Sequence, residues 1–223
     1  MTDYYEENLS AERLLRVYAL ASRRILEYLD AEIDYVIGHL KPTDHVLELG
    51  CGYGRVLRKL YRYCEFLVGI DTSMPSLQMA RDYCRDSESL GLIRMNAAAL
   101  AFKPHSFDTV VCIQNGISAF HVDQKTIVRE AVCVTRPGGL VLVSTYHEDI
   151  WDKRLQWFED QAREGLVGPI DYDLTGDGTI VCKDGFTATT LTAAQLVQLV
   201  DDLPVNATPV VVDNSSLFLE ICC

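Results

Sequence analysis

Apolar residues return every third or fourth place from Leu14 through Tyr18, Ala21, Ile25, Leu29, Ile33, Val36 and Leu40. That spacing lines one face of a helix. Ser10 is the expected N-cap and Lys41-Pro42 the expected stop, so the first forty residues read as helical. Arg13, Arg16, Arg23 and Arg24 lie among Glu12, Glu27, Asp30 and Glu32, and are read as a solvated charged face rather than an anion site.

Beyond residue 43 the texture changes to short continuous apolar runs at 45–49, 66–70, 90–95, 108–113 and 140–146, separated by stretches of helical length. Runs without polar alternation are strands buried on both faces, the mark of a parallel sheet covered by helices. Helices are expected over Gly54–Tyr63, from Pro75 to Asp82 or Arg85, over Asp123–Thr135, over 151–165 and over Ala193–Val200, with Arg136-Pro137-Gly138-Gly139 as a turn. Two hairpins are expected: IDYDL with TIVCK around Thr175–Gly178, and 208–213 with 216–221 around Asn214-Ser215. The fold class is therefore α/β, a doubly wound and mostly parallel seven-stranded sheet with helices on both faces and an antiparallel C-terminal hairpin. No repeat or low-complexity linker divides the chain, so 1–223 is expected as one domain: a helical cap (1–42), a βα core (43–149), a less regular insertion (150–192) and a closing helix and hairpin (193–223).

Composition narrows the partners. Of 223 residues 48% are apolar and 23% charged, which is enough to bury a core without staples. Twenty basic against 32 acidic residues give a net charge of −12, leaving no Lys/Arg surplus for nucleic acid or an anionic membrane. The opening MTDYYEENLS is acidic and no 18-residue apolar stretch occurs, so neither a leader nor a span is expected. The eight cysteines form no C-x-x-C pair, and Cys112, Cys133, Cys182 and Cys222 lie in apolar runs. They are read as buried reduced thiols in a cytoplasmic protein, with no metal.

The chemistry concentrates in His45–Arg55, where Gly50, Gly52 and Gly54 stand at a strand-to-helix turn. Glycines there adopt positive φ and let backbone N–H groups approach a ligand. A dinucleotide loop wants its third glycine at position 55, which is Arg. The spacing is instead G-x-G-x-G, with Glu48 two residues before the first glycine.

ELGCGYG at 48–54 resembles the first motif of the class I S-adenosylmethionine-dependent methyltransferases. VGID ends the next strand on Asp71, FDTVVCIQNG (107–116) resembles that family's fourth-strand segment, and RPGGLVLVSTY (136–146) its turn and fifth strand. The four motifs come in order over about 43–147, and the closing hairpin fits the family's last strands.

The resemblance implies S-adenosyl-L-methionine as cofactor. Asp71 would take two ribose hydroxyls, its other reading being a helix N-cap before Pro75. Glu48 would face the cofactor's amino group or orient the glycine loop. Asn96-Ala97 would border the adenine, Asn standing where the family often has Asp, and Met74 would pack on the adenine face or belong to the core. Cys51 and Thr72 flank the loop and the acid. Gln114, Asn115 and Ile117 would hold the methyl donor, and Tyr5, with Tyr4, would close over it or form a loose terminus. Asn115 is not followed by the Pro-Pro-aromatic pattern of base-amine methyltransferases, which argues against nucleic-acid amines.

Methyl transfer needs mainly placement, with a proton acceptor nearby for a neutral nucleophile. His121, Tyr146 and His147 are the catalytic candidates, beyond the fourth and fifth strands; for a loop histidine, plain surface is the competing reading. The acceptor pocket would come from the N-terminal helices and 150–192. There Trp151, Trp157 and Phe158 read as core rather than a substrate box, and Asp171, Tyr172, Asp173 and Asp177 as a solubilising acidic hairpin. IQNGISAF resembles small-molecule N-methyltransferases of the glycine type, which favours an amine. The expected protein is a monomer or homodimer acting on a small-molecule acceptor. The alternatives are a protein or peptide methyltransferase and a cofactor-binding domain without transfer; a nicotinamide oxidoreductase conflicts with Arg55.

Overall fold

The computed structural model describes residues 11–223. Its N-terminal segment, helical as expected, is two helices, α1 (Glu12–Ala19) and α2 (Arg23–His39). Ser22 is extended and its hydroxyl accepts the Ile25 N–H at 3.4 Å, a new N-cap that breaks the run. The expected cap at Ser10 lies outside the described residues.

The core strands are β1 (His45–Leu49), β2 (Phe66–Asp71), β3 (Leu90–Arg94), β4 (Phe107–Cys112) and β5 (Thr135–Tyr146), followed by β8 (Asn206–Val212) and β9 (Ser216–Cys222). They form one seven-stranded sheet in the order β3-β2-β1-β4-β5-β9-β8. The first five run parallel, and β9 pairs antiparallel with both β5 and β8. Asp213 and Asn214, both at positive φ, lie in the three-residue loop 213–215 that closes the final hairpin, and the Ser215 N–H donates to the Val212 carbonyl at 3.0 Å. Strand order reverses between β1 and β4, the switch point at which such sheets bind ligands.

The connections hold α3 (Leu57–Leu60), α4 (Met74–Tyr83), α5 (Gly116–Ala119), α6 (Gln124–Val134), α7 (Trp151–Arg163) and α8 (Ala193–Gln198). Ser73, Asp123 and Thr192 cap α4, α6 and α8 by accepting backbone N–H groups. The helix expected over 54–63 shrinks to the single turn α3, because residues 51–56 are spent on the glycine turn. Arg136–Gly139 is not a free turn: β5 begins at Thr135, the register against β4 shifts there, and Arg136 Nη1 grips both oxygens of Asp108 at 2.8 and 2.9 Å.

The first expected hairpin is re-paired. Strand β6 (Thr179–Val181) runs antiparallel to β7 (Thr187–Thr189) across Asp184-Gly185, and IDYDL contributes only the Ile170–Cys182 bridge. Asp184 accepts the N–H groups of Gly168 and Phe186, which fixes this tighter turn.

Three apolar clusters result. Two flank the sheet, around Val110–Ile127–Leu219 and around Val46–Leu57–Phe218. The third joins α1 and α2 to residues 146–188 through Ile25, Tyr28, Trp157, Phe158, Ile180 and Phe186. Cys112 and Cys182 are buried as expected, whereas Cys133 and Cys222 are exposed, one on the outer side of α6 and one at an outward position of β9. All eight cysteines are free thiols.

Candidate functional site

A cavity of about 980 Å³ opens between the carboxyl ends of the strands and the third cluster. The glycine turn after β1 lies on its wall, with Gly50, Gly52 and Gly54 at φ of 74°, 52° and 88°. A side-chain carbon at Gly50 would run into the Phe120 ring at 2.5 Å, while one at Gly52 would meet only Leu14 Cδ2, at 3.0 Å. Gly54 does not line the cavity; it packs on α4, where a side-chain carbon would meet Cys84 Sγ at 2.9 Å.

The loop amides are not turned toward the cavity as expected. Those of Gly50 and Cys51 both donate to the Ile70 carbonyl at 2.9 Å, and that of Gly52 donates to Asp71 Oδ2 at 2.8 Å. What the loop presents is surface without side chains. Asp71 is held from the other side by the Ser73 N–H at 2.8 Å, and Ser73, not Asp71, caps α4. These two donors position Asp71 on the cavity wall.

Glu48 also lines the cavity. It is 4% exposed, forms no hydrogen bond with the loop, and its Oε2 has no partner among the described residues. Burial pushes its carboxyl up to about 8, opposed by the Arg55 charge and reinforced by that of Asp71. Cys51, Thr72, Asn96 and Ala97 complete this end; Asn96 Oδ1 accepts the Ala98 N–H at 2.8 Å.

Opposite stand Gln114 and Asn115, both in the left-handed region at φ of 59° and 61°. Such conformations persist only where surroundings over-determine them. The Gln114 N–H donates to Glu32 Oε2 at 2.6 Å and to Ser144 Oγ at 2.8 Å, its Nε2 donates to the Leu29 carbonyl, and its Oε1 accepts from Arg55. Asn115 Oδ1 accepts the Thr145 hydroxyl at 2.8 Å.

Glu32, read from sequence as part of a solvated face, is fully buried. It accepts the hydroxyls of Ser144 and Ser216 at 2.8 and 2.6 Å together with the Gln114 N–H, tying α2 to β5, β9 and the end of β4. Burial raises its carboxyl to about 7 despite those three donors. The signal was present: Glu32 falls on the stripe of Ile25, Leu29 and Val36.

Four other expectations are displaced. Ile117 is buried in the core cluster behind the wall, because α5 turns that face inward. Met74, at the start of α4, is 44% exposed and off the cavity. His147 is off the cavity as well: its N–H donates to the Ser215 carbonyl and its Nδ1 accepts the Asp149 N–H at 3.3 Å. Tyr146 lines the cavity, but its ring is packed 5.0 Å from Tyr28 with the Arg154 guanidinium 4.4 Å above it. Burial pushes its phenol up to about 12, so it is protonated at neutral pH and unsuited to act as a base. His121, at the exposed rim, is the catalytic candidate that keeps its place on the cavity. Tyr4 and Tyr5 lie outside the described residues.

The rest of the wall is aromatic: Tyr18, Phe120, Trp157, Phe158 and Phe186. Trp157 and Phe158, expected as core alone, serve both the core and the cavity. Arg55, Phe120 and Gln161 were not singled out as site residues; only the position of Gln161 one helical turn after Trp157 hinted at a shared face.

Residues 46–139 match the family model described as a methyltransferase domain. A ubiquinone biosynthesis O-methyltransferase of Albidiferax ferrireducens is 33% identical over 116 residues, 49% of this chain and 44% of that protein. The chain thus matches less than half the length of this curated relative. In fold, the PH0226 protein of Pyrococcus horikoshii is similar with a TM-score of 0.65 at 20% identity, covering 100% of this chain and 99% of that one. The N-methyltransferase NodS of Bradyrhizobium japonicum, solved with S-adenosyl-L-homocysteine, is similar with a TM-score of 0.59 at 13% identity, covering 95% and 98%.

Proposed function

We propose that this chain, whose residues 46–139 match a methyltransferase domain, transfers a methyl group from S-adenosylmethionine to a small-molecule acceptor. The observation that carries the reading is a single cavity in which the glycine turn, Asp71 and Asn96 at one end are continuous with an aromatic box at the other.

The residues present fit the cofactor. The bare Gly52 leaves room where a side chain would intrude, Asp71 is presented by two N–H donors, and the unpartnered buried Glu48 Oε2 suits an ammonium group. When bound, S-adenosylmethionine supplies a methyl group on a sulfonium, open to in-line attack by a lone pair of the acceptor. Asp71 would orient the ribose hydroxyls, Asn96 and Ala97 would border the base, and Glu48 would take the amino group. Gln114 and Asn115, over-determined by their hydrogen bonds, hold the wall beside the reacting centre. Placement of this kind is worth about 7–11 kcal/mol of barrier in favourable cases. Trp157, Phe158 and Phe186 exclude water, and His121 at the rim is the group placed to take a proton from a neutral acceptor.

The aromatic wall favours a small molecule over a protein or peptide, which would need an open face. The net charge of −12 weighs against nucleic acid and anionic membranes, and no described helix is long and apolar enough to cross a membrane. We place the enzyme in the cytoplasm on its eight free thiols. The amine suggested by the IQNGISAF stretch and the hydroxyl suggested by the O-methyltransferase relatives are both small nucleophiles, and one assay separates them. Purified protein with methyl-labelled cofactor is offered amine, hydroxyl and peptide fractions. Label entering only a small-molecule fraction supports the proposal; label in peptides, or cofactor binding without turnover on any fraction, sinks it.

A further inference from the structure

The cavity holds two polar groups that the cofactor reading does not use. Arg55 projects from the glycine turn into the cavity with its guanidinium stacked 4.4 Å over the Tyr18 ring of α1 and one N–H given to Gln114 Oε1. No carboxylate of the described residues pairs with it, and its Nε is buried without a partner among them. Gln161, on α7 one turn after Trp157, is 2% exposed, lines the same cavity, and has a buried Nε2 with no acceptor among the described residues. Leaving such donors buried and unmet costs about 1–3 kcal/mol each, more for a charged group.

Both groups offer only N–H donors at these atoms, and both stand on the aromatic side: Arg55 against Tyr18, whose ring is 6.1 Å from Trp157, and Gln161 on the Trp157–Phe158 helix. A guanidinium fork with unspent donors matches a carboxylate, and an aromatic wall matches a flat apolar body. We propose that the methyl acceptor is an aromatic carboxylate, its anionic group held by Arg55 and its polar edge read by Gln161. This rests on the methyltransferase reading above. It also states what makes the site selective: a neutral analogue leaves the guanidinium desolvated and unpaired.

Charge within the cavity agrees. Burial raises the Glu48 carboxyl to about 8, and an ammonium group beside it would favour its ionised form and take up that charge. Once the cofactor's ammonium sits on Glu48, Arg55 remains the cation facing the acceptor.

The test titrates protein saturated with S-adenosylhomocysteine against three matched pairs: benzoate and benzamide, phenylacetate and phenylacetamide, indole-3-acetate and indole-3-acetamide. In the wild type at least one acid binds tenfold or more tightly than its amide. In Arg55→Gln that preference collapses, Arg55→Lys keeps part of it, and S-adenosylhomocysteine affinity stays within about twofold. Gln161→Leu, which leaves the turn untouched, weakens acid and amide together. Equal binding of acids and amides, or no acid bound at all, overturns the proposal. So does an Arg55→Gln protein that loses S-adenosylhomocysteine while keeping the preference, since Arg55 would then serve the cofactor's own carboxylate. Failure of the wild type to bind S-adenosylhomocysteine would instead remove the methyltransferase reading itself.

Discussion

Glu32 and Ser216, 184 positions apart in the chain, share a hydrogen bond of 2.6 Å behind the cavity wall. The same carboxyl takes the Ser144 hydroxyl and the Gln114 N–H, so one buried acid joins the second helix to two strands and to Gln114 on the cavity wall. The cap over the site is thereby fastened to the sheet by a polar knot rather than by apolar contact alone.

That knot makes stability depend on pH. The unfolded Glu32 carboxyl ionises near 4.5 and the folded one near 7, so between these values the folded chain holds a proton that unfolding releases. Its contribution is fully present below pH 4.5, falls as pH rises, and is lost above 7, a change of about 3 kcal/mol. Glu32→Gln keeps two acceptor lone pairs and a donor for the serine hydroxyls. Urea unfolding at pH 4.5 and pH 8 should show the variant gaining on wild type by about that amount at the higher pH. A constant difference between the two proteins contradicts the assignment.

The glycines of the turn should separate by what they face. Gly52→Val puts a branched side chain at φ of 52° beside the ligand space, costing roughly 1–2 kcal/mol of fold stability and abolishing S-adenosylhomocysteine binding. Gly54→Ala strikes Cys84 and Ala80 on α4, so its effect should be on unfolding midpoint first. Thermal melts with and without ligand check both; normal binding by Gly52→Val would mean that the ligand lies elsewhere.

Tyr146 should prove a packing residue. Its phenol is protonated up to about pH 12, and its ring supports Tyr28 and Arg154. Tyr146→Phe is expected to keep kcat within about tenfold and to leave the pH–rate profile below pH 9 unchanged, the modest loss reflecting one hydroxyl. Loss of the rise in rate with pH in the variant would restore it as the base.

Much of this was legible in the chain. Strands buried on both faces announce themselves as unbroken Val/Leu/Ile runs, which is why β1, β2 and β4 fell where expected and β5 ends where expected although it starts at Thr135, and two closely spaced apolar runs located the final hairpin. Glu32 was missed because counting charges on the helix hid its place on the apolar stripe. The turn at Thr175–Gly178 competed with Asp184-Gly185, and only the side-chain bonds of Asp184 decide between them. Phe120, Arg55 and Gln161 come together from three distant segments, and no local spacing encodes that meeting. Met74, Ile117 and His147 stood at the right sequence positions, but the rotation of a helix or the cap of a turn aims them away from the cavity.

The central claim is that a nucleoside rests across the tips of β1 and β2 against Asp71. Calorimetric titration of S-adenosylhomocysteine into wild type and Asp71→Ala tests it most directly. The account predicts saturable one-to-one binding by the wild type and a loss of about 2–4 kcal/mol in a folded variant, roughly 30- to 1000-fold in Kd. No binding by the wild type, or equal affinity in both proteins, would contradict it.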